Sequence, residues 1–479
     1  MDLIQHWLTS VSDFLWTYIV IAILVGCAIF FTWRLRFVQF RLLGEMLHLL
    51  VHPESVKPED IGPEELSEDV QEGGKTKHIS SFQAFFVALA SRIGTGNLAG
   101  VASAISVGGP GAVFWMWLLA LLGSSMAFVE STLAQLYKQR GKDSFFGGPA
   151  YYMKYGLGKA WMGILFAILM IITFAFANCS VQSNTICAAW EKAFGFDPTI
   201  TGIVLSVLTL TIIFGGIQRI AKFSSAVVPV MAIIYILVAI FVVVCNITLI
   251  PKVMLTIFEN AFGFNQAAGG AIGVTIMQGI KRGLFSNEAG EGSAPNAAAV
   301  ATVSHPVKQG LIQALGVFTD TLVVCSCTAF IILVSGVDIK ASDGIQLTQD
   351  ALTHEIGWIG NPFIAIMIFL FAFSTIIGNY YYGETNVLYI TKSKRIMFVY
   401  RLAVAAMVMV GALTTLDFVW SLTDIAMAFL TLCNLVAIVL LSRQAITLLS
   451  DYRRQKEEGK DPTFSKDAMP DIADKLDAW

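Results

Sequence analysis

Two clusters of glycine and polar residues interrupt long apolar stretches of this 479-residue sequence. The first, GTGNLAG at residues 94–100, places Thr95 and Asn97 between glycines, and the second, SNEAGEGSAP at residues 286–295, carries two glutamates. Glycine destabilises a helix by about 1 kcal/mol relative to alanine, and Thr and Asn offer side-chain oxygens to an ion or a ligand. Unpaired backbone groups persist in hydrocarbon only against protein or a water-filled site. The clusters therefore predict broken membrane helices around a binding site, although packing kinks or channel pore helices would give a similar pattern.

The composition indicates a polytopic membrane protein. Hydrophobic residues make up 56% of the chain and charged residues 14%, with a mean hydropathy of +0.70, whereas soluble domains carry about 25% charged residues. This balance excludes a soluble globule, and the low charge together with 34 Phe excludes disorder. The chain has no basic cluster of the size that nucleic-acid binding requires. Its seven cysteines are spaced as ordinary buried thiols rather than as a zinc site.

Apolar runs of about 20 residues, the length that crosses a bilayer, predict eleven membrane spans and an all-α fold. The seventh run is the least regular because it contains Lys281, Arg282, Glu288 and Glu291. The predicted spans are 14–33, 81–107, 112–137, 161–190, 199–217, 223–249, 268–300, 310–336, 361–386, 396–415 and 418–442.

The distribution of Lys and Arg predicts the orientation of these spans. If the N-terminus is outside, the inner segments hold 25 of the 31 Lys and Arg residues and the outer loops hold three. This asymmetry follows the positive-inside rule and favours an odd number of spans, with the C-terminus in the cytoplasm. The soluble parts are then an acidic inner loop at 34–80 and a polar tail at 443–479. The loop is expected to be a solvated linker, and the alternative is a regulatory contact. Neither part is large enough to bury a core, so 1–442 is expected to be one transmembrane domain.

The spacing of the two interruptions predicts an inverted repeat. With the first span set aside, the interruptions fall in spans one and six of the remaining ten, so each opens a group of five helices. The halves are then 81–249 and 268–442, and an odd number of helices per half gives them opposite topology. A pair of interrupted segments at matching positions of two halves is the best sequence indication of a transporter's midplane site.

Five strings in order along the chain carry a family resemblance: GTGNLAGVASAI, PGAVFWMWLLALLG, RGLFSNEAGEGSAPNAAA, SHPVKQG and FAFSTIIGNYYYGET. They resemble the alanine/glycine:cation symporter family. The resemblance covers roughly residues 14–445. It implies a leucine-transporter-type fold of ten helices in two inverted halves, preceded here by one extra helix. It also implies Na⁺-coupled uptake of a small neutral amino acid. We expect the protein to lie in a plasma membrane, the inner membrane of a bacterium. The sequence leaves the oligomeric state open, and a monomer is expected to suffice for function.

A zwitterionic amino acid would need backbone N–H groups for its carboxylate and oxygens for its ammonium group. We assign the carboxylate to Thr95 and Gly96 in the first interruption. Asn97 is a candidate for contact with the ligand or with a second ion. Gln182 is expected to form a polar side wall, and the alternative is a hydrogen bond between helices. By resemblance, three residues at the start of the second interruption and just before it also face the ligand: Phe285, Ser286 and Asn287.

The resemblance also implies where Na⁺ would bind. The common sodium site of the fold corresponds to the carbonyl groups of Ala90 and Ile93 and the hydroxyl groups of Ser374 and Thr375. Carbonyls and hydroxyls suit Na⁺ because it prefers hard oxygen ligands. The alternative for the two hydroxyls is a hydrogen bond back to their own helix.

The charged residues within the spans need partners or water, because a lone Arg in a membrane costs at least about 2.5 kcal/mol. We expect Arg92 to pair with Glu288 or Glu291 and thereby to brace the two interruptions. Lys281 and Arg282 are expected to approach the inner surface or an aqueous vestibule. Three acids are placed toward span ends, where solvated or capping roles are expected: Glu130, Asp320 and Glu384.

One position departs from the family pattern. The string IIGNYYYGE has Asn379 where many members carry Trp, so a pocket lined by this position would be roomier and more polar. Glutamine then becomes a credible substrate beside alanine and glycine, and Asn379 a substrate-binding residue.

Three other classes of function are alternatives to a Na⁺ symporter. A proton-coupled or exchange transporter would use Glu288 or Glu291 as its titrating group. A channel would need a repeated filter sequence, which the chain lacks. An intramembrane enzyme is disfavoured because no HExxH or GxSxG motif occurs.

Overall fold

Long apolar helices dominate the protein, because a helix satisfies its backbone hydrogen bonds internally where no water is available. The computed structural model describes residues 2–52, 79–141, 144–263 and 269–479. Within these ranges, eight helices are long and apolar enough to cross a membrane, and a bent pair makes a possible ninth. Helix Pro198–Ile213 is shorter, and Gly269–Asn287 is not among the eight. An all-α multi-pass fold is therefore confirmed, whereas the count of eleven spans stays a prediction.

The predicted first half begins with a helix that is bent by 47° between its two segments, Ser81–Arg92 and Gly96–Gly108. We call these two segments the first broken helix. Four more helical regions complete this half, and the second of them continues without interruption through wide turns at Ile171–Asn178. They are Ala112–Leu136, Ala160–Phe194, Pro198–Ile213 and Gly216–Cys245.

The predicted second half begins with the segments Gly269–Asn287 and Pro295–Ala298, which we call the second broken helix. Its third member is longer than predicted, because helix Ile345–Ile356 leads directly into the membrane helix. The remaining helices of this half are Pro306–Ser335, Gly360–Ile390, Lys394–Leu413 and Leu416–Leu440.

Elements outside the two halves pack against them. The extra N-terminal helix covers Gln5–Arg34, and the other regular elements lie at the ends of the bundle. Most of the predicted acidic loop falls on residues 53–78, outside the described residues. The remaining elements are helices Val38–Arg41, Leu43–Val51, Pro149–Tyr151, Tyr152–Gly156, Ile250–Ala261 and Ser442–Glu457, short 3₁₀ turns at Ile247–Leu249, Gly357–Ile359, Lys466–Ala468 and Pro470–Lys475, and antiparallel strands Gln139–Arg140 and Phe145–Phe146.

Both predicted interruptions are real, and each has a local cause. In the first broken helix, Ile93 adopts an extended conformation, and the Gly94 N–H donates to the Asn97 side-chain oxygen at 2.9 Å instead of continuing the helix. In the second, Glu288, Gly290 and Gly292 have positive φ angles of 57°, 91° and 81°. Left-handed residues cannot continue a right-handed helix, and only glycine adopts this conformation readily.

Matching members of the two halves pack together. The second helices pack along each other, Pro306–Val317 against Ala112–Leu136, and the third helices do the same, Cys179–Phe194 against Gly360–Ile390. The first members meet at their interruptions, since a Cβ atom on Gly96 would lie 2.9 Å from the Ser286 Cα. This pairing brings the two interruptions to the centre of the bundle.

The two broken helices also meet at one end of the bundle. Ile79 and Ala301 form a parallel β-bridge, and the Thr302 N–H donates to the Ile79 carbonyl at 3.0 Å. The Gln135 side chain donates to the Ala298 carbonyl at 2.5 Å and to the Ala301 carbonyl at 2.9 Å.

Residues 458–479, which we call the C-terminal segment, cover this same end. The Phe464 N–H donates to the Ser304 carbonyl at 2.8 Å, and the Trp479 indole donates to the Gln135 carbonyl at 3.0 Å. The predicted polar tail is therefore folded onto the membrane helices rather than free in solution.

Candidate functional site

Gly94 lies at the point where three helices come closest. A Cβ atom added to it would lie 2.2 Å from the Thr375 hydroxyl oxygen and 2.8 Å from the Gln182 side-chain oxygen. Any side chain at this position would therefore displace its neighbours, so only glycine lets helix Gly360–Ile390 and helix Cys179–Phe194 approach the first interruption this closely.

The predicted sodium ligands largely converge here. The Thr375 hydroxyl lies 2.9 Å from the Ala90 carbonyl oxygen and 3.2 Å from that of Ile93, and it also contacts the Phe371 carbonyl at 3.0 Å. One hydroxyl proton can serve one of these three carbonyls fully, so electron-rich oxygens remain on the others. Ser374 behaves differently, because its hydroxyl donates to the Phe371 carbonyl of its own helix at 2.8 Å.

The predicted substrate residues of the first interruption lie beside this oxygen cluster. The Thr95 N–H donates to the Gln182 side-chain oxygen at 2.9 Å, and the Gln182 amide in turn donates to Asn178 at 2.7 Å. Gln182 thus forms a hydrogen bond between helices, as the alternative prediction stated. Its partner, the Thr95 N–H, is the same group that we assign to a substrate carboxylate. The Thr95 hydroxyl is buried and has no hydrogen-bond partner among the described residues.

The second broken helix packs against the first at Gly96. A Cβ atom on Gly96 would lie 3.1 Å from both the Phe285 ring and the Ser286 Cβ. The Phe285 ring packs edge-on against Trp420, with 4.6 Å between ring centroids. The Asn287 side chain is turned to other partners: its amide donates to the Thr321 hydroxyl at 3.2 Å, and its oxygen accepts the Ala289 N–H at 3.0 Å.

Asp320 joins both interruptions, a role that the sequence did not indicate. Its carboxylate accepts from the Asn97 amide at 2.6 Å and from the Ser286 hydroxyl at 2.8 Å. It also accepts from the Thr321 hydroxyl at 2.9 Å and is completely buried. The prediction of a solvated or capping acid near a span end was wrong, because the helix begins at Pro306 and Asp320 lies about 20 Å along it at 1.5 Å per residue. That depth is the signal that could have revealed it.

Within the described structure, Asn379 makes no direct contact with the predicted substrate residues of the two interruptions. Its oxygen lies 2.7 Å from the Ser91 hydroxyl, one helical turn beyond Thr375, and its Nδ2 has no partner among the described residues. Its assignment to the substrate pocket therefore stays a prediction.

The predicted ion pair between Arg92 and Glu288 or Glu291 is wrong. The Arg92 guanidinium donates to the Gln313 carbonyl at 3.1 Å, and none of the described carboxylates forms an ion pair with it. Glu288 instead accepts from the Ser91 hydroxyl at 2.6 Å and from the Ser293 hydroxyl at 2.5 Å. The two broken helices are thus joined through Ser91 rather than through the neighbouring arginine.

Lys281 and Arg282 are also placed differently from the prediction. Both are buried, and both pair with Asp424, at 2.8 Å for Lys281 and 2.6 Å for Arg282. The Arg282 guanidinium lies over the Trp420 ring at 3.9 Å. Asp424 and Trp420 of helix Leu416–Leu440 thus supply a shared counter-charge and an aromatic face, and Asp13 lies 3.7 Å from Lys281 as a second carboxylate.

The two remaining acids have separate roles. Glu130 is completely buried and accepts the N–H groups of Gly290 at 3.3 Å and Gly292 at 3.1 Å, so it caps the second interruption and is not solvated. Glu384 pairs with Arg401 at 3.0 Å near the end of its helix and accepts from the Tyr380 hydroxyl at 2.7 Å.

This geometry, with two interrupted helices meeting at a buried cluster of oxygens, has counterparts among known proteins. The profile of the sodium:alanine symporter family matches residues 1–466. This chain belongs to that family. Members of the sodium:alanine symporter family couple amino-acid transport to Na⁺, and the chain is accordingly a Na⁺-coupled amino-acid symporter and not an enzyme.

Individual relatives and a solved structure agree with this assignment. The chain is 52% identical over 461 residues to the amino-acid carrier protein AlsT of Bacillus subtilis (strain 168), covering 96% of this chain and 95% of that protein. It is 50% identical over 472 residues to the probable sodium/glutamine symporter GlnT of the same organism, covering 98% and 95%. The crystal structure of MhsT in complex with L-phenylalanine superimposes with a TM-score of 0.51 at 14% identity, covering 84% of this symporter and 93% of MhsT. This likeness confirms the leucine-transporter-type fold.

Proposed function

We propose that this symporter takes up small neutral amino acids, namely alanine, glycine and glutamine, together with Na⁺ by alternating access. The observation that carries the proposal is the meeting of the Thr375 hydroxyl with the Ala90 and Ile93 carbonyls, beside the Thr95 N–H. An ion at these oxygens and a carboxylate at that N–H would both lie beside Gly94, where the Thr375 hydroxyl and the Gln182 oxygen are close neighbours. Their opposite charges would attract, so each would stabilise binding of the other.

Gln182 has a defined part in this scheme. Its side-chain oxygen accepts the Thr95 N–H, which is the contact that a substrate carboxylate would make. Binding would therefore exchange one oxygen acceptor for another, and the exchange favours the substrate because a carboxylate accepts a stronger hydrogen bond than an amide does. The Thr95 hydroxyl and the Gly96 backbone complete this side of the proposed pocket.

The pocket walls support small or flexible substrates. Phe285 is fixed against Trp420, and Ser286 is held by Asp320, so the second interruption forms a rigid wall. The Asn379 Nδ2 would donate to the carboxamide oxygen of glutamine, whereas alanine and glycine need no such partner. The name of the relative GlnT, a probable sodium/glutamine symporter, supports including glutamine.

We further propose that the protein lies in a plasma membrane with its N-terminus outside and with the C-terminal segment in the cytoplasm. The excess of Lys and Arg on the predicted inner segments supports this orientation. The Ile79–Ala301 bridge would then lie at the cytoplasmic end of the substrate path. One protomer contains every residue of the proposed site, so a monomer would suffice.

The test is uptake of labelled alanine, glycine and glutamine into proteoliposomes of purified protein. We expect uptake against a gradient when Na⁺ is higher outside and none when K⁺ replaces Na⁺. The Thr375→Val variant, which keeps the shape of the side chain and removes the hydroxyl, should raise the Na⁺ concentration for half-maximal uptake. Uptake that proceeds equally in K⁺ would contradict the proposal.

A further inference from the structure

Four carboxyl groups and one guanidinium are buried around the second interruption. The carboxyl groups come from helix Ala112–Leu136, from the interruption itself and from helix Pro306–Ser335, and the guanidinium comes from the first broken helix. They are Glu130, Glu288, Glu291, Asp320 and Arg92.

Three of the carboxyl groups have hydrogen-bond donors that stabilise a negative charge. Glu130 accepts two backbone N–H groups of the interruption and the Asn434 amide at 2.8 Å. Glu288 accepts from two serine hydroxyls, and Asp320 accepts from an amide and two hydroxyls.

Glu291 is the exception. Its side chain is 1% exposed, yet neither carboxylate oxygen has a hydrogen-bond partner among the described residues. The charged groups that face it are Glu288 of its own segment, Glu130 of helix Ala112–Leu136 and Arg92 of the first broken helix. Arg92 is committed to the Gln313 carbonyl and makes no ion pair with Glu291, while the two glutamates repel a negative charge.

An ionised carboxylate without donors, beside two other carboxylates and inside a membrane protein, is strongly disfavoured. A neutral carboxylic acid at this position adds nothing to the local negative charge, and burying it without hydrogen-bond partners costs far less than burying an unpaired charge. The proton is therefore the simplest ligand that makes the observed arrangement stable.

We propose that Glu291 is a proton-binding residue of the transport cycle. In the buried conformation it holds one proton as a carboxylic acid, and it exchanges that proton with water when the second interruption opens. Na⁺-driven uptake then depends on pH through Glu291, and rising pH slows the return to the buried conformation. This inference rests on the proposed function, because it concerns the same transport cycle.

The experiment measures Na⁺-driven alanine uptake by proteoliposomes between about pH 5.5 and about pH 8.5, a range that spans the shifts seen for buried carboxyl groups. We expect wild-type uptake to fall at least about fivefold toward high pH, since one titrating group changes its protonated fraction tenfold per unit at most. Glu291→Gln, which mimics the protonated acid, should give a profile that is flat to within about twofold over the same range.

Two further variants complete the test. Glu384→Gln removes a carboxylate that pairs with Arg401 away from this cluster, so it should keep the wild-type profile. Glu291→Asp retains a titratable group and should keep a pH-dependent profile, which covers the case in which Glu291→Gln fails to fold. A flat wild-type profile, or a Glu291→Gln profile as steep as that of the wild type, would overturn the inference while leaving Na⁺-coupled uptake intact. Absence of Na⁺-dependent uptake at every pH would instead count against the proposed function.

Discussion

The Asn97 side-chain amide donates to the Asp320 carboxylate at 2.6 Å, deep inside the bundle. The same carboxylate accepts the Ser286 hydroxyl, so one acid holds together the first broken helix, the second broken helix and helix Pro306–Ser335. Asn97 also caps the Gly94 N–H through its oxygen. The position of the first interruption is therefore linked, through two atoms of one side chain, to that of the second.

The Asp320→Asn variant should weaken this link. Hydrogen bonds to charged groups contribute about 1.5–3 kcal/mol, so we expect the Na⁺ concentration for half-maximal uptake to rise by about 10- to 100-fold. Asp197→Asn, which changes an exposed cap of helix Pro198–Ile213, should leave it unchanged. Uptake kinetics at varied Na⁺ would check both, and equal Na⁺ dependence in the two variants would refute the assigned role.

The Gly94→Ala variant should abolish uptake, because its Cβ would lie 2.2 Å from the Thr375 hydroxyl oxygen. Overpacking of a rigid interior costs about 1–3 kcal/mol, and here the strain falls on the proposed Na⁺ ligands. Gly26→Ala is the matched control, since nothing lies within 4 Å of the added atom. Thermal stability and uptake should both be measured, and a Gly94→Ala variant with normal uptake would disprove the proposed ion position.

The Gln182→Glu variant should compete with the substrate. Its carboxylate keeps the shape of the side chain but would accept the Thr95 N–H about twice as strongly. We expect the KM for alanine to rise by at least about tenfold, with a smaller change in kcat. Competition assays with unlabelled alanine would reveal this shift, and an unchanged KM would show that the substrate carboxylate does not use the Thr95 N–H.

The Asn379→Trp variant should narrow the range of substrates toward alanine and glycine. A large ring would fill the space beside Ser91 and remove the amide donor proposed for a carboxamide. Inhibition of labelled alanine uptake by excess glutamine should be lost, while inhibition by glycine persists. If glutamine still competed as well as before, Asn379 would not determine which substrates are accepted.

Acid should loosen the C-terminal segment through His305. This ring packs against Tyr452 and Phe464, with centroids 5.2 Å and 5.8 Å away, and its Nε2 lies 3.5 Å from the Asp451 carboxylate. Burial lowers the pKa of His305 from its usual 6.5 to about 4. Once the segment is released, His305 would bind a proton more readily, so attachment is strongest above pH 6.5 and weakens as pH falls toward about 4.

Limited proteolysis of the purified protein would detect this release. Cleavage within residues 458–479 should be slow at about pH 7 and faster at about pH 5, with a protease active at both. His305→Gln cannot be protonated in this range, so its cleavage rate should not change with pH. Equal pH dependence in the variant and the wild type would locate the switch elsewhere.

The interruptions could be predicted from the sequence because their causes are local. The apolar runs contain or adjoin Gly94, Gly290 and Gly292. Each glycine destabilises a helix by about 1 kcal/mol relative to alanine, so a break at these positions is favoured. The convergence of Ala90, Ile93 and Thr375 followed from the family resemblance. Helix Ile345–Ile356 was not predicted because only five of its twelve residues, IQLTQDALTHEI, are apolar, and they form no long hydrophobic run.

The partners of the buried charges could not be predicted in the same way. Asp320 lies 223 residues from Asn97 in the chain, and Asp424 lies 142 residues from Arg282. Such pairs depend on which helices pack together and at what depth, which hydropathy does not report. Arg92 was assigned to the glutamates by proximity of the two interruptions, whereas the neighbouring Ser91 makes that contact.

The Ile79–Ala301 bridge joins the main chain just before the first broken helix to the main chain just after the second. Any movement that separates the broken helices at this end must first break the hydrogen bond from the Thr302 N–H to the Ile79 carbonyl, whichever amino acid is bound. The free-energy cost of separating the helices is then the same for every substrate. Substrate selectivity would then depend on the side chains around Gly94. The range of substrates could therefore change in evolution while the Ile79–Ala301 end of the bundle stayed the same.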